Sequence, residues 1–129
     1  LDLNSDDEWI EDIQMHLFVH LIEPKLKEIP LCFIYDFPKD QAALAEIHGP
    51  VAHRFEMYIN GTEIANGYQE IQSAQEYRDR FNEELNKRKV LSKPFELLDH
   101  SFLKDLEGGL PYCSGVAIGI ERLYSSLSL

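Results

Sequence analysis

Two glutamates, Glu63 and Glu70, stand seven positions apart in GTEIANGYQEI, around an Asn66-Gly67 pair and inside a run that is otherwise apolar and strand-like. Two carboxylates that share a hard cation are a common means of holding ATP phosphates through Mg2+. In a regular strand these two cannot cooperate, because seven is odd and side chains alternate faces with period two. A bulge between them would restore the parity, and Asn66-Gly67 is the expected place for it. The competing reading makes each acid a decoration of an exposed edge strand.

The second candidate is SGVAIGIERL, residues 114–123. Gly115 and Gly119 within a strand signal close approach of a ligand or of another backbone, and Arg122 at a helix start can offer a planar guanidinium to a phosphate or stack on a base. Tight helix-on-sheet packing with a surface arginine accounts for the same residues. Other templates fail: there is no G-x-x-x-x-G-K-[ST] loop and no G-x-S-x-G elbow, and no histidine pair is read as a metal-ligand pair. The five histidines read as surface or core residues.

The elements that must position these groups follow from pattern. SDDEWIEDIQMHLFVHLIEP opens with Ser5 three residues before Glu8, a capping-box spacing. Trp9, Ile13, Leu17 and Leu21 then recur at steps of four, which predicts an amphipathic helix stopped by Pro24. LCFIYDF, between Pro30 and Pro38, predicts a buried strand, and QAALAEI one or two helical turns ended by His48-Gly49-Pro50. Phe55, Met57 and Ile59 alternate with Arg54, Glu56 and Tyr58, and Asn60-Gly61 supplies a hairpin turn. Ser73 and Glu76 repeat the capping spacing ahead of a helix to about Lys89. Asp99 caps a short helix closed by Gly108-Gly109, and a glycine-containing strand passes into a helix at about Ile120. The sum is an α+β domain, an antiparallel sheet with flanking helices.

Bulk properties bound the function. The chain has 129 residues, 44% hydrophobic and 27% charged, which fits one domain spanning residues 1–129. Its net charge of -11 argues against a broad electrostatic footprint for nucleic acid or an anionic membrane. Cys32 and Cys113 lack metal-type spacing and read as reduced thiols. No run reaches the roughly 18 apolar residues of a membrane span, so the expected location is cytoplasmic, with no membrane partner. The chain opens on Leu1 and stops inside an unfinished helix, which reads as a piece of a longer protein.

Taken together, the segments resemble a known family. SGVAIGIERL resembles the third signature motif of class II aminoacyl-tRNA synthetases, and RFEMYINGTEIANGYQEI the preceding hairpin of lysyl-tRNA synthetases and their relatives. YDFPKDQAALA is similar to a run typical of the elongation factor P–lysine ligases, short paralogues without an anticodon-binding domain. The resemblance implies a partial class II catalytic fold, ATP and Mg2+ as cofactors, and activation of lysine or β-lysine as an adenylate. The acyl group would then pass to a lysine of elongation factor P, with tRNA disfavoured as acceptor and a homodimer in the full-length protein. It further implies that Glu63 and Ile64 belong to the ATP site, with Glu63 holding Mg2+ and Glu70 a second candidate ligand. Glu70 would contact the amino-acid ammonium, Asn66 would line the same cleft, and Gly115 and Ala117 would shape the amino-acid pocket. Gly119 would admit the nucleotide, and Arg122 would bind the ATP tail or cover the adenine.

The sequence departs from that pattern in places. Gln69 replaces a histidine and Glu121 an aspartate that are more frequent in the family. The first and second signature motifs are not found, so this chain is not expected to activate an amino acid alone. A lysyl-tRNA synthetase fragment and a non-catalytic synthetase-like binding module are the competing readings. An incomplete sheet would also expose an edge and an apolar face, which predicts self-association.

Overall fold

The computed structural model describes residues 8–90, 94 and 99–127. Its centre is an antiparallel sheet of β1 (Leu31–Pro38), β2 (Ile47–His48), β3 (Val51–Ile59), β4 (Thr62–Gln69) and β5 (Ser114–Ile118). The strand order is β1-β3-β4-β5, with β2 pairing on β3. Helices α1 (Glu8–Leu17), α2 (Glu23–Leu26), α3 (Ala74–Val90), α4 (His100–Glu107) and α5 (Ile120–Leu127) flank it. This is the α+β arrangement that the pattern predicts.

The turn signals act as expected. Asn60 and Gly61 both take positive φ, 49° and 78°, as a two-residue hairpin turn between twisted strands requires. Ser73 Oγ accepts from Glu76 N at 3.2 Å, and Asp99 Oδ1 accepts from Ser101 N and Phe102 N at 2.8 and 3.2 Å, so both caps satisfy free helix N–H groups. The capping expected of Ser5 lies outside the described residues.

Three expectations need correction. The strand expected to be buried, β1, lies at the sheet edge and leaves Leu31, Phe33 and Tyr35 exposed. Pro24 does not stop the first helix. A π-helical turn, Phe18–Ile22, follows α1, and Pro24 then sits in the first turn of α2, where its missing N–H leaves no bond unmade. QAALAEI forms only the end of a 3-10 turn, Lys39–Gln41. Ala43 at φ 49° breaks the helical path, and Glu46 N instead bonds Gln69 O on β4 at 2.9 Å.

The sheet has two unlike faces. Arg54, Glu56 and Tyr58 of β3 share one face with Asn66 and Tyr68 of β4 and with Gly115 and Ala117 of β5, as the cross-strand pairs show. The opposite face carries Leu31, Phe33, Val116 and Ile118, which are 54%, 53%, 53% and 48% exposed. That is a large apolar surface left uncovered by the described residues. The alternation in β3 therefore runs opposite to simple hydrophobic burial: Glu56 and Tyr58 are buried, while Phe55, Met57 and Ile59 are only partly so.

Candidate functional site

A bulge in β4 builds the site. Tyr58 pairs with Glu63 but Met57 pairs with Ala65, so Ile64 is the extra residue. One inserted residue reverses the alternation, and Glu63 joins Asn66, Tyr68 and Glu70 on a single face. The parity break is present as the shared-cleft reading demands, but it falls at Ile64, ahead of the Asn66-Gly67 pair that suggested it. Gly67 serves another purpose. A Cβ there would come within 2.7 Å of the Phe55 ring and of Gly115 O, so glycine lets Phe55 lie across the strand on the back face.

Glu63 is held by Arg122 of α5, whose Nη1 donates to the Glu63 carbonyl at 3.2 Å and to Oε2 at 3.4 Å. Both side chains remain open to solvent, at 60% for Arg122 and 37% for Glu63. Gly119 N donates to Ile64 O at 2.9 Å, and Leu123 N to Gly119 O at 2.8 Å, so the bulge anchors the start of α5 and thereby aims Arg122. The Ile64 side chain is 2% exposed. Of the residues assigned to the nucleotide, Ile64 thus contributes backbone position and not an exposed side chain. At Gly119 a Cβ would sit 3.4 Å from Arg122 Cδ, an ordinary contact, so the arginine stem already lies over this glycine.

Glu70 occupies the other end of the face. A Cβ at Gly115 would overlap its Oε1, so the glycine opens the space that the carboxylate fills. Burial raises the phenol pKa of Tyr68 and of Tyr77, and the negative charge of Glu70 raises both further. Ala117, exposed, pairs across β5 with Asn66. Glu63, Asn66, Glu70, Gly115, Ala117 and Arg122 are therefore brought onto one surface.

Beneath them lies a network that sequence reasoning missed. Arg54 donates from Nη2 to Glu56 Oε1 at 2.6 Å, from Nε to Asn66 Oδ1 at 3.2 Å and from Nη1 to Gln41 O at 3.0 Å. It also lies 4.5 Å from the centre of the Phe37 ring. Tyr58 OH donates to Glu56 Oε2 at 2.7 Å, so both oxygens of this buried carboxylate are satisfied. Burial, then the hydrogen bond to Glu56 and its charge, raise the Tyr58 phenol pKa far above the ordinary range. Phe37 reaches this face because Asp36 adopts φ 58° where the β1–β3 register shifts. The available signal was the polar set Arg54, Glu56 and Tyr58 at spacing two, which marks one strand face.

A cavity of about 500 Å3 opens between this network and the first helical segment. Arg54, Glu56, Tyr58 and Glu63 line its polar side, with Met15, Phe18 and Ile22 opposite. The arrangement can receive a compact cationic group beside acids while leaving Arg122 available for an anion.

Comparison with known proteins gives the family. The family model for tRNA synthetases class II (D, K and N) matches residues 11–128. Elongation factor P–(R)-β-lysine ligase of Baumannia cicadellinicola subsp. Homalodisca coagulata is 46% identical over 110 residues, covering 83% of this chain and 34% of that protein. The proteins of the same description from Proteus mirabilis and Vibrio cholerae are 44% and 41% identical, each over 95% of this chain and over 40% and 39% of their own length. The chain thus spans 34 to 40% of the length of these relatives. No described helix is long and apolar enough to cross a membrane. With a family model that matches residues 11–128 and relatives 41 to 46% identical over most of this chain, the chain belongs to the class II tRNA synthetases of the D, K and N group.

Proposed function

We propose that this chain supplies the amino-acid and part of the ATP site of an enzyme that activates lysine or β-lysine with ATP and transfers it to a lysine of elongation factor P. The observation that carries the reading is the bulge at Ile64, which sets Glu63 and Glu70 on one face with Arg122 beside the first and Gly115 beneath the second. The activity for which the relatives are named supports the choice of acceptor.

Each residue then has a physical role. Glu70, with its carboxylate seated over Gly115, pairs with an ammonium of the amino acid, a charge-assisted contact that a neutral side chain cannot replace. Asn66 has its Oδ1 fixed by Arg54, which leaves its amide N–H groups as the part it can offer a ligand. Arg122 moves from the Glu63 carboxylate to the ATP phosphates or adenine. Mg2+ typically takes one or two carboxylates and completes its shell with phosphate and water, and Glu63 beside Arg122 is suited to that limited role; Glu70, expected as a second ligand, lies at the other end of the face against Gly115, too far along β4 to share the ion. When bound, the ion would neutralise phosphate charge. The protein's own share is positioning and electrostatics, which is all that adenylate chemistry asks of it.

The test is ATP–pyrophosphate exchange driven by lysine or (R)-β-lysine in a polypeptide of the relatives' length that carries this segment, followed by transfer to elongation factor P or to tRNA. The family's description keeps tRNA as the rival acceptor. Exchange with either amino acid and transfer to elongation factor P is the expected result, and transfer to tRNA alone would reject the proposal.

A further inference from the structure

Outside this site, Glu46, His48 and His53 meet on one face of the β2–β3 hairpin. The histidines are not expected from sequence to bind metal, although the H-x4-H spacing of His48 and His53 falls within the range that metal-ligand pairs use, and the turn at Gly49-Pro50 brings them together. Ile47 pairs with Ala52 and His48 with Val51, which sets Glu46 opposite His53. His53 N donates to Glu46 O at 2.9 Å. Glu46 and His48, two residues apart, point to the same side. The two imidazoles stack with centroids 4.2 Å apart and planes 5° from parallel, and Glu46 Oε1 lies 3.3 Å from His48 Nε2. One ligand atom from each of the three lies within 4.8 Å of the other two.

A second observation points to a missing partner. Glu46 Oε2 is shielded from solvent and has no hydrogen-bond partner. A carboxylate oxygen in that position is costly unless a donor or a cation meets it. The His48 side chain, 54% exposed, leaves an entry path from solvent.

We propose that Glu46, His48 and His53 form a binding site for a divalent transition-metal ion, with Zn2+ the best fit. Two imidazoles and one carboxylate are a donor set that Zn2+ favours over Mg2+ or Ca2+, and a three-residue set leaves one tetrahedral position for water. Coordination requires the stacked rings to tilt, so that one nitrogen of each meets the ion together with the Glu46 carboxylate. Glu46 N also bonds Gln69 O, next to Glu70, so the ion would brace a hairpin that is tied to the strand carrying the proposed amino-acid contact. This site stands whether or not the proposed activity does.

Calorimetric titration of chelator-stripped protein with ZnCl2 tests it. One Zn2+ per chain is expected, with His48→Ala and His53→Ala each weakening binding by more than about tenfold. Glu46→Gln keeps the shape and removes the charge, and it should weaken binding too. His16 and His20 form the other close histidine pair, with ring centroids 5.9 Å apart, and His16→Gln/His20→Gln should leave the titration unchanged. Far-ultraviolet circular dichroism verifies that each variant is folded. Absence of binding to the unsubstituted protein at millimolar Zn2+, survival of full affinity in the folded hairpin variants, or its loss in the His16/His20 variant each overturns the proposal.

Discussion

Arg122 holds Glu63 twice through one nitrogen, its Nη1 reaching both the backbone oxygen and the carboxylate of the same residue. The contact joins the first turn of α5 to the bulged strand β4. Because both side chains are substantially exposed, the ion pair itself adds little to stability, on the order of 1 kcal/mol or less. Arg122→Ala is therefore expected to leave urea unfolding nearly unchanged while removing ATP–pyrophosphate exchange in a polypeptide of the relatives' length that carries this segment. A large loss of stability with retained exchange would show that Arg122 is a packing residue.

Glu63→Gln and Glu70→Gln separate the two ends of the face. Both should abolish exchange without unfolding the domain. Glu70→Gln also removes the charge that raises the Tyr68 and Tyr77 phenol pKa values, so the titration of those two tyrosines should shift downward in that variant, whereas Glu63→Gln removes a charge that acts on Tyr58 instead. Wild-type exchange in either variant rejects its assignment.

Gly115 and Gly119 should differ. Alanine at 115 would overlap Glu70 Oε1, whereas alanine at 119 meets Arg122 Cδ at 3.4 Å. Gly115→Ala must move the carboxylate, and a displacement of about 1 Å costs roughly 100-fold in kcat/KM, expected here chiefly as a raised KM for the amino acid. Gly119→Ala should be the milder change. Equal effects of the two substitutions on amino-acid KM would count against Glu70 as the amino-acid contact.

Much of the architecture was readable from turn and cap chemistry. Asn60-Gly61, Ser73 and Asp99 are local signals whose geometry depends on few distant residues, and each acts as its type predicts. Parity at Glu63 and Glu70 was readable as a demand but not as a place. Asn66-Gly67 looked like the bulge because glycine permits one, yet the steric need of Phe55 decides what Gly67 does. The bulge falls instead on Ile64, an apolar residue whose sequence context gives no warning. The Arg54–Glu56–Tyr58 network was hidden for a related reason: its acid is buried, and only the three-dimensional pairing with arginine and tyrosine makes that tolerable. Pro24 misled because a π-helical turn, a tertiary accommodation, absorbs it.

Tyr58 should make the domain sensitive to alkali. Its folded pKa is raised by burial and then by Glu56, while in the unfolded chain it ionises near pH 10. Below that pH the phenol is protonated in both states and its contribution is intact. Above it the unfolded chain releases a proton that the folded one keeps, so stability falls as pH rises beyond about 10. Tyr58→Phe should flatten that fall, and it should cost about 1 to 3 kcal/mol at neutral pH by leaving Glu56 Oε2 without its donor. Urea unfolding at pH 8 and at about pH 11 measures both effects, and an unchanged alkaline slope would assign the sensitivity to other groups.

Gly67 offers the sharpest check on the strand geometry that brings the acids together. Its backbone is crossed by the Phe55 ring, and Gly115 O approaches from β5, each within 2.7 Å of where a Cβ would stand. Gly67→Ala must therefore push the ring aside and strain the β4–β5 pairing, at a cost of about 1 to 3 kcal/mol typical of overpacking. Phe55→Ala removes the first obstacle and leaves the second, so the double variant should show a favourable coupling that recovers part of the loss and not all of it. Additive losses in that cycle would mean that Phe55 does not cover Gly67. The reason for glycine at that position, and with it the placement of the parity break at Ile64 instead of Gly67, would then need another origin.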